Sequence, residues 1–256
     1  MSKKSKAVEQ NANKFVECGY CAMQAVCQPL TTGKQSLDLT ENYLTRRVPV
    51  NLEQASTSHI AKTPDAVLLH NHQPLTAIYA VCSGVFKLYI DNEDGSENIV
   101  GFRFPGELIG EDAIYQNKYN YNAIAIGESS VCEVSFAKLN ACGQLAPELQ
   151  QNLIQLLAKQ SFNQQRNNQT LIGKKSADSL LAAFLLNICQ RNAEYSYSEM
   201  HIDLTISRTD IANFLGIRRE TLSRLLSKFQ QAQLICIKGK MFEILSHEKL
   251  LKLSCC

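Results

Sequence analysis

Residues 205–230 read TISRTDIANFLGIRRETLSRLLSKFQ, and this stretch decides the fold of the C-terminal part of the chain. Ser207 precedes Asp210 by three positions, a spacing typical of a helix start at which side chains cap the first turn. Gly216 then permits a tight turn, because glycine tolerates backbone conformations that other residues avoid. Apolar residues recur at helical spacing on both sides of this glycine. The pattern predicts two short helices joined by a tight turn, as in a helix-turn-helix.

The second of these helices has two distinct faces. Its inward face is predicted to be apolar and consists of Leu222, Leu225, Leu226 and Phe229. Its outward face is polar and carries Arg218, Arg219, Glu220, Ser223, Arg224 and Lys228. Arginine can bond guanine O6 and N7 together, and glutamate can accept a hydrogen bond from cytosine N4. We therefore expect this helix to read double-stranded DNA in the major groove, with the six outward residues as its DNA-binding set.

Glu220 and Arg224 admit two interpretations, because residues four positions apart share one face of a helix. They could read adjacent base pairs, or they could form a salt bridge with each other on a solvated face. The neighbouring sequence favours base contact. Residues 234–245, LICIKGKMFEIL, place two apolar runs around Lys-Gly-Lys and predict a β-hairpin wing. Residues 201–256 also carry nine Lys and Arg against five Asp and Glu, a local +4 in a chain of net charge +2.

Upstream, from about residue 46 to residue 140, short apolar runs alternate with Gly, Pro and Asn. The run LTAIYAVCSGVFKLYI at 75–90 is followed by the turn DNEDGSEN and then by NIVGFRF at 98–104. Short strands at this spacing predict an antiparallel barrel or sandwich. The Asp94-Gly95 pair predicts a hairpin turn between two of the strands.

A long helix is predicted over 147–172, where no glycine or proline follows Pro147. Leu149, Leu153 and Leu156 suit a coiled-coil seam, whose continuation reaches the polar residues Gln160, Asn163 and Asn167. Polar seam residues fix register and weaken association, and a solvated helix with no partner is the alternative. A further amphipathic helix is predicted over 176–192, followed by a loop over 193–200.

The bulk composition narrows the class of protein. The chain has 256 residues, of which 45% are hydrophobic and 20% charged, as expected of a globular protein with more than one domain. No apolar run approaches the ~20 residues that span a bilayer, and the N-terminal residues lead into no signal-peptide core, so we expect a cytoplasmic protein without a membrane partner. The five His residues form no recognisable metal or triad spacing. We therefore expect no enzyme.

DIANFLGIRRETLSRLLSKFQ followed by KGK resembles the C-terminal domain of the CRP/FNR superfamily of bacterial transcription regulators, and the resemblance covers nearly the entire chain. It implies an α+β fold. An N-terminal arm (1–30) precedes an antiparallel β-barrel sensor domain of the cyclic-nucleotide-binding type (31–146). A dimerisation helix (147–175) and a winged helix-turn-helix (176–256) follow. The resemblance also implies a homodimer that binds near-palindromic DNA and contacts RNA polymerase.

Two positions depart from the FNR branch of this superfamily. Arg219 stands where that branch usually has an apolar residue and the catabolite-activator branch has Arg, whereas Ser223 resembles the FNR branch. The helix thus mixes two patterns, and we expect a TTGAT-like half-site first and a TGTGA-like one second. Arg218 stands where a Ser or Thr cap is usual, a loss normally worth ~1 kcal/mol. A nearby DNA phosphate would offset that loss, which makes Arg218 an expected backbone contact.

Cyclic nucleotides are not expected to bind. Members of the superfamily that bind them carry an Arg-Ser or Arg-Thr pair some ten residues after a Gly-Glu turn. Here two Gly-Glu pairs occur, Gly106-Glu107 and Gly110-Glu111, and near the expected position they are followed by Tyr121, Asn122 and Ala123. A phosphate without a cationic or bidentate partner would bind poorly.

Three thiols lie close together near the N-terminus, at Cys18, Cys21 and Cys27. This spacing is similar to the arm of the oxygen-responsive FNR branch, in which three arm cysteines and one barrel cysteine hold a [4Fe–4S] cluster. The resemblance of GFRFPGELIGEDAI and SSVCEVSF to that branch makes Cys132 the matching fourth ligand, with Cys82 in reserve. It implies that the cluster favours the DNA-binding dimer and that oxygen destroys or converts the cluster.

Spacing alone leaves other chemistry open. Cys-x2-Cys-x5-Cys could join one distant cysteine in a Zn site, or could act as a thiol redox switch. It does not choose among Cys82, Cys132 and Cys142 as the fourth ligand. A regulator of the same fold could also sense nitric oxide or carry haem. A thiol oxidoreductase would place Cys18-x2-Cys21 at a helix start in a βαβ unit, and no such unit is predicted.

Overall fold

The computed structural model describes residues 45–50, 67–145, 147–171, 176–195, 201–203, 205–239 and 241–254. The predicted arm 1–30 lies outside these residues, as do Lys240 of the predicted wing turn and most of the predicted loop 193–200. In the ranges that are described, no helix is both long enough and apolar enough to cross a membrane.

The first part of the described chain, which we call the β-domain, is one antiparallel sheet. Its strands are β1 (Thr45–Val50), β2 (Val67–Leu69), β3 (Ala77–Asp91), β4 (Glu97–Arg103), β5 (Leu108–Ile109) and β6 (Asn122–Ser135). The main order is β1-β6-β3-β4, while β2 pairs with β6 and β5 pairs with β3. The predicted antiparallel architecture is therefore confirmed. The alternating apolar residues of β3 and β6 bury Phe86, Leu88 and Val131 in its core.

The predicted turn between β3 and β4 is also confirmed. Gly95 has φ 78° and its N–H donates to the Asn92 carbonyl oxygen at 3.0 Å. The Asn92 N–H donates to the Ser96 carbonyl oxygen at 2.8 Å and closes the hairpin. Glycine suits this place because its φ lies in the left-handed region.

Four helices follow the sheet or interrupt it. They are α1 (Ala113–Gln116), α2 (Phe136–Leu145), α3 (Pro147–Leu171) and α4 (Ala177–Tyr195). The long helix predicted over 147–172 is observed as α3. The helix predicted over 176–192 is observed as α4 but continues to Tyr195, so the prediction of a loop from 193 was wrong for its first residues. Neither α1 nor α2 was predicted, because each lies in a segment whose pattern is typical of strands.

The long helix α3 does not use its leucines as predicted. Leu156 is only 8% exposed and packs within its own chain, so it cannot lie in a seam between two chains. Among the side chains of α3 that the structure describes, the large apolar ones left exposed are Ile154 at 67% and Phe162 at 59%. The predicted seam is therefore wrong at Leu156, and the apolar surface of α3 lies on another face of the helix.

The C-terminal domain contains the predicted helix pair and wing. Its elements are β7 (His201–Asp203), α5 (Arg208–Phe214), α6 (Arg219–Gln231), β8 (Ile235–Lys238), β9 (Met241–Ile244) and α7 (His247–Ser254). The hairpin of β8 and β9 confirms the wing, and β7 adds a third strand in the order β7-β9-β8. Neither β7 nor α7 was predicted from the sequence, because a three-residue strand and a two-turn helix carry little periodic signal.

One apolar core joins the two parts of the molecule. It combines Phe102 and Phe104 from the β3–β4 region with buried residues of α4, α5, α6 and the wing. The ring of Phe102 lies 6.4 Å from that of Phe184 in α4 and 5.4 Å from that of Phe214 in α5. The helix-turn-helix is thus packed directly against the outer hairpin of the β-domain.

Candidate nucleic-acid interface and thiol pair

The turn between α5 and α6 is built by local hydrogen bonds. The Ser207 hydroxyl accepts the Asp210 N–H at 3.0 Å, which confirms the predicted cap of α5. At the other end, the N–H groups of Gly216 and Ile217 donate to the carbonyl oxygens of Asn213 and Ala212, each at 3.0 Å. This is a Schellman motif, which needs a left-handed residue, and Gly216 has φ 64°. The turn therefore sets the angle at which α6 leaves α5.

Helix α6 presents the two predicted faces. Leu222, Leu225, Leu226 and Phe229 are all buried. The predicted DNA-binding residues lie on the other side: Arg218, Arg219, Glu220, Arg224 and Lys228 are exposed and Ser223 is half-buried. Arg218 is the N-cap residue and its side chain makes no capping hydrogen bond. The structure thus brings the six residues together on one helix, with four of them in its first two turns.

Glu220 and Arg224 do not form the side-chain salt bridge that was one of the two interpretations. The Arg224 Nε–H points to the backbone carbonyl oxygen of Glu220, at 3.5 Å. Both side chains are exposed, so each is accessible to a base in the major groove of DNA. Lys228 differs, because its ammonium group pairs with the carboxylate of Asp178 in α4. The C-terminal end of α6 is therefore tied to α4, whereas the N-terminal end is open.

Polar contacts attach α5 to the edge of strand β4. The side-chain amide of Asn213 donates to the Glu97 carbonyl oxygen at 2.8 Å and accepts the Ile99 N–H at 3.1 Å. Asn213 in this way satisfies two backbone groups that an adjacent strand would otherwise bond. Lys87 adds charge to the contact, since its Nζ lies 2.6 Å from Glu97 and 3.7 Å from Asp210.

A buried ion pair connects α4 to the β-domain. The Arg191 guanidinium donates from Nε to Glu107 Oε1 at 2.7 Å and from Nη2 to Glu107 Oε2 at 2.6 Å. The same Nη2 donates to the Phe102 carbonyl oxygen at 2.6 Å, and the guanidinium stacks over the Phe104 ring. Burial alone would raise the pKa of Glu107, but the charges of Arg191 and Arg103 and the hydrogen bonds from Arg191 and the Phe104 N–H together outweigh it, so the net pKa is lowered. Glu107 is therefore a structural anion.

A second buried carboxylate connects α3 to the β-domain. Glu111 Oε1 accepts hydrogen bonds from Gln160 Nε2 at 3.3 Å and from Gln164 Nε2 at 3.0 Å, and lies 3.8 Å from the Arg103 guanidinium. Its Oε2 is buried and has no hydrogen-bond partner in the part of the chain that the structure describes. Burial raises the pKa of Glu111, although Arg103 opposes the shift. Gln160, which the sequence assigned to a seam, thus bonds Glu111 together with Gln164.

Glu111→Gln is expected to flatten the dependence of stability on pH. A carboxyl whose pKa is raised in the folded chain contributes stability below its unfolded pKa, and this contribution is lost as the pH rises through the folded pKa. The variant lacks this titration, so its free energy of unfolding should fall less steeply over that window. Urea unfolding at a series of pH values measures the slope. The exposed control Glu93→Gln should keep the wild-type slope, and an unchanged slope in Glu111→Gln would contradict the assignment.

Of the four predicted cluster ligands, Cys132 is the one that lies within the described residues, and a second thiol lies next to it. Cys132 lies on β6, half-buried, and its Sγ is 3.2 Å from the Sγ of Cys82 on β3. Cys18, Cys21 and Cys27 lie outside the described residues, and within those residues no group of three or more metal-ligating side chains is found. Cys142 lies on α2. The geometry therefore places the two candidate barrel ligands, Cys132 and its reserve Cys82, side by side.

Comparison with known proteins extends over almost the full chain. A Crp-like helix-turn-helix domain matches residues 181–253, and a cyclic nucleotide-binding domain matches residues 61–144. Electron transport regulator A of Shewanella oneidensis is 33% identical over 250 residues, which is 95% of each chain. The fumarate and nitrate reduction regulatory protein of Yersinia pestis is 33% identical over 245 residues, 96% of this chain and 93% of that protein.

The chain belongs to the FNR branch of the CRP/FNR superfamily of transcription regulators. Solved structures agree on the fold of this regulator. FixK2 from Bradyrhizobium japonicum superposes with a TM-score of 0.69 at 22% identity, over 82% of this chain and 97% of that one. A CooA mutant from Carboxydothermus hydrogenoformans gives 0.60 at 16% identity, over 89% and 98%.

Several residues of the regulator that matter to its structure were not found from sequence. Asn213 and Asp178 looked like ordinary polar residues of helix surfaces, and nothing in their spacing indicated their distant partners. Nothing in the sequence around Arg191 indicates that it pairs with Glu107, which lies 84 positions earlier. Cys82 was found only as a reserve candidate, because the register that brings it to Cys132 is set by the sheet.

Proposed function

We propose that this regulator senses oxygen through a [4Fe–4S] cluster and, as a homodimer, binds palindromic DNA to control anaerobic genes in the cytoplasm. The observation that carries the DNA half is the exposed, polar N-terminal end of α6, held by a capped turn. Phosphate contacts are assigned to Arg218, and base contacts to Glu220, Ser223 and Arg224. RNA polymerase is the further partner expected of such a regulator.

Lys228 and Arg219 have separate places in this proposal. Lys228 pairs with Asp178, so DNA would have to compete with an existing partner, and we assign it a backbone phosphate rather than a base. Arg219 is exposed next to the cap and can reach either a phosphate or a guanine. Because Arg219 leaves both kinds of contact possible, we propose a TTGAT-like half-site as the first choice and a TGTGA-like half-site as the second choice.

The proposed ligands of the cluster are Cys18, Cys21, Cys27 and Cys132. Iron–sulfur clusters are held by thiolates. Cys132 fits this role, because it offers a partly exposed thiol beside a second sulfur. A bound cluster would supply four metal–sulfur bonds that tie the N-terminal arm to the β-domain and that oxygen can break. Cys82 stays the reserve ligand.

Dimerisation is assigned to α3. Ile154 and Phe162 expose large apolar surfaces on this helix, 67% and 59% of their full area, although most such side chains in the described chain are buried. The inner face of the same helix is held by its own chain through Leu156 and through the glutamines bonded to Glu111. A partner helix would therefore cover Ile154 and Phe162 and set the two copies of α6 at half-site spacing.

Cyclic-nucleotide control is not part of the proposal. Arg191 already occupies the carboxylate of Glu107, the residue of the Gly-Glu turn. Where an arginine would be needed for a phosphate, the buried Tyr121 hydroxyl instead accepts the Gly110 N–H at 2.9 Å. The Asn122 amide beside it donates to Asp91 at 2.9 Å. These contacts satisfy the polar groups locally, and Arg103, whose charge reaches Tyr121, is already paired with Glu111.

Anaerobic purification tests the sensor half. We expect brown protein with iron and acid-labile sulfide that bleaches in air, and anaerobic binding to a duplex with two TTGAT half-sites that is lost after bleaching. Cys21→Ser should lack iron and should bind this duplex weakly under strict anaerobiosis. A Soret band would indicate haem instead, and colourless protein would indicate Zn or a thiol switch. Bleaching by nitric oxide without oxygen would add a second signal.

Arg224→Ala tests the DNA half. Loss of one base-reading arginine is expected to cost about 1–3 kcal/mol, or roughly 5- to 150-fold in affinity for the matched duplex. Binding to a scrambled duplex should change little, so the specificity ratio falls. Fluorescence anisotropy at fixed salt measures both affinities. Lys138→Ala, an exposed lysine of the β-domain, is the control and should bind as wild type. Equal weakening on both duplexes would make Arg224 a phosphate contact.

A further inference from the structure

Two cysteines from neighbouring strands meet in the β-domain. Cys82 Sγ and Cys132 Sγ are 3.2 Å apart, and the Cys82 thiol also lies 3.7 Å from the Ala80 carbonyl oxygen, toward which it can donate. Cys82 is 5% exposed, whereas Cys132 is half-buried. One sulfur can thus meet dissolved reagents while its neighbour is shielded from them.

The sheet holds this pair in place. Ala80 is the partner of Cys132 in the β3–β6 ladder, and the register shifts between Val81 and Ser83, at Cys82 itself. Cys82 follows Ala80 by two residues, and the irregular register at this point leaves its Sγ beside that of Cys132. Just beyond it, the Ser83 and Ser130 hydroxyls bond at 2.7 Å and pin the strands together. The sulfurs need approach by only about 1 Å to reach the ~2.05 Å of a disulfide bond.

We propose that Cys82 and Cys132 are a redox modification site at which a hydroperoxide forms a reversible disulfide. The Cys132 thiolate attacks one peroxide oxygen, the O–O bond breaks, and Cys132 becomes a sulfenic acid while hydroxide leaves. The Cys82 sulfur then attacks the Cys132 sulfur, the S–O bond breaks, and the Cys82 proton leaves with the hydroxyl group as water. In total two thiols lose two electrons, and one hydrogen peroxide becomes two water molecules.

The disulfide has a consequence that rests on the proposed function. A sulfur of Cys132 that is bonded to Cys82 is no longer a thiolate, and only the thiolate binds metal. Iron–sulfur assembly through Cys132 would then require prior reduction by a dithiol. Cys82 in this way gives the regulator a second response to oxidants, which persists until the disulfide is reduced.

Peptide mapping of the full chain tests the disulfide. Iron-free reduced protein is treated with about one equivalent of hydrogen peroxide, alkylated, digested and analysed by mass spectrometry. We expect a linked peptide pair that contains Cys82 and Cys132, lighter by two hydrogen atoms than the two thiol peptides and separated by dithiothreitol. Cys82→Ser and Cys82→Ala should form at least about tenfold less of any disulfide at Cys132, and dimedone should trap its sulfenic acid instead.

Controls keep the result specific. Cys236→Ser removes a half-buried thiol of the wing and should leave the linked pair unchanged. Wild-type protein in which Cys132 reaches sulfinic acid while Cys82 is fully alkylated, or in which Cys132 pairs with another cysteine, would overturn the proposal. This outcome needs no variant, so it holds even if the Cys82 variants fold poorly.

Anaerobic reconstitution with ferrous iron and sulfide separates the two proposals. The disulfide form should bind at least about tenfold less iron than the reduced form, and dithiothreitol should restore binding. If the reduced form binds no iron, the cluster proposal fails, and the peptide map alone decides on the disulfide. If protein with the mapped disulfide binds as much iron as the reduced protein, Cys132 is not a ligand of the cluster. The inference that the disulfide blocks cluster assembly is then overturned.

Discussion

Replacing Arg191 with methionine is expected to lower the free energy of unfolding by about 3–5 kcal/mol. The reason is that the carboxylate of Glu107 would stay buried without the two hydrogen bonds and the charge of Arg191, with only the charge of Arg103 left near it, while methionine fills a similar volume. Arg191 bonds both carboxylate oxygens and a backbone carbonyl, so no other described group can take over all three contacts. Urea unfolding of reduced, iron-free protein at neutral pH measures the loss.

The pH dependence of this loss identifies its cause. The lowered pKa of Glu107 contributes stability above the unfolded pKa, and this contribution is lost as the pH falls through the folded pKa. The difference between wild type and Arg191→Met should therefore shrink on acidification. The double variant Arg191→Met with Glu107→Gln should recover part of the loss at neutral pH, because it removes the buried charge. Failure to recover would mean that Arg191 stabilises mainly through its packing on Phe104.

An exposed ion pair supplies the matched control. Lys252 and Glu248 are bonded at 2.7 Å on the surface of α7, one helical turn apart. Lys252→Met should cost no more than about 0.5 kcal/mol, since exposed pairs are screened by water. A similar cost for both variants would show that the environment of Arg191 is not buried in solution.

Phe102→Ala is expected to be as damaging, at about 3–5 kcal/mol. Phe102 is fully buried and its ring makes edge contacts with Phe184 and Phe214, so truncation leaves a cavity where β4, α4 and α5 meet. The rigid elements around it can close only part of that space. Denaturant unfolding followed by circular dichroism measures the change.

The same variant tests how the helix-turn-helix is attached. Because Phe102 belongs to the β-domain and Phe214 to α5, the cavity should also speed amide exchange in α5. Tyr115→Ala removes an aromatic ring that is 91% exposed and should change stability by less than about 0.5 kcal/mol. A loss below about 1 kcal/mol in Phe102→Ala, without faster exchange in α5, would show that the two domains are not packed together in solution.

The helix-turn-helix was the part of the fold most open to prediction. The cap at Ser207, the turn at Gly216 and the four buried residues of α6 all lie within 26 consecutive residues and follow local rules. Local hydrogen bonds and a single apolar face are enough to specify such a unit. The wing and the β3–β4 hairpin were predictable for the same reason, since each depends on a turn at Gly239 or Gly95.

The bounds of the long helix α3 could be predicted from the absence of Gly and Pro. Which faces of this helix are buried could not be predicted from the sequence. A leucine at helical spacing can face a second chain or the same chain, and periodicity is identical in both cases. Only the packed structure shows that Leu156 faces inward, that Gln160 and Gln164 serve Glu111, and that Ile154 and Phe162 remain exposed.

By itself the sequence determined the order of the domains, helix α6 and the six residues on the outward side of that helix. It could do so because the signals for helices, turns and hairpins act between residues a few positions apart. Tertiary structure decided the contacts that join distant segments: Arg191 with Glu107, Asn213 with β4, and Cys82 with Cys132. These depend on strand register and on the docking of whole elements, which arise from the summed burial of many side chains. No local pattern encodes that sum, so such pairs become visible only once the chain is folded.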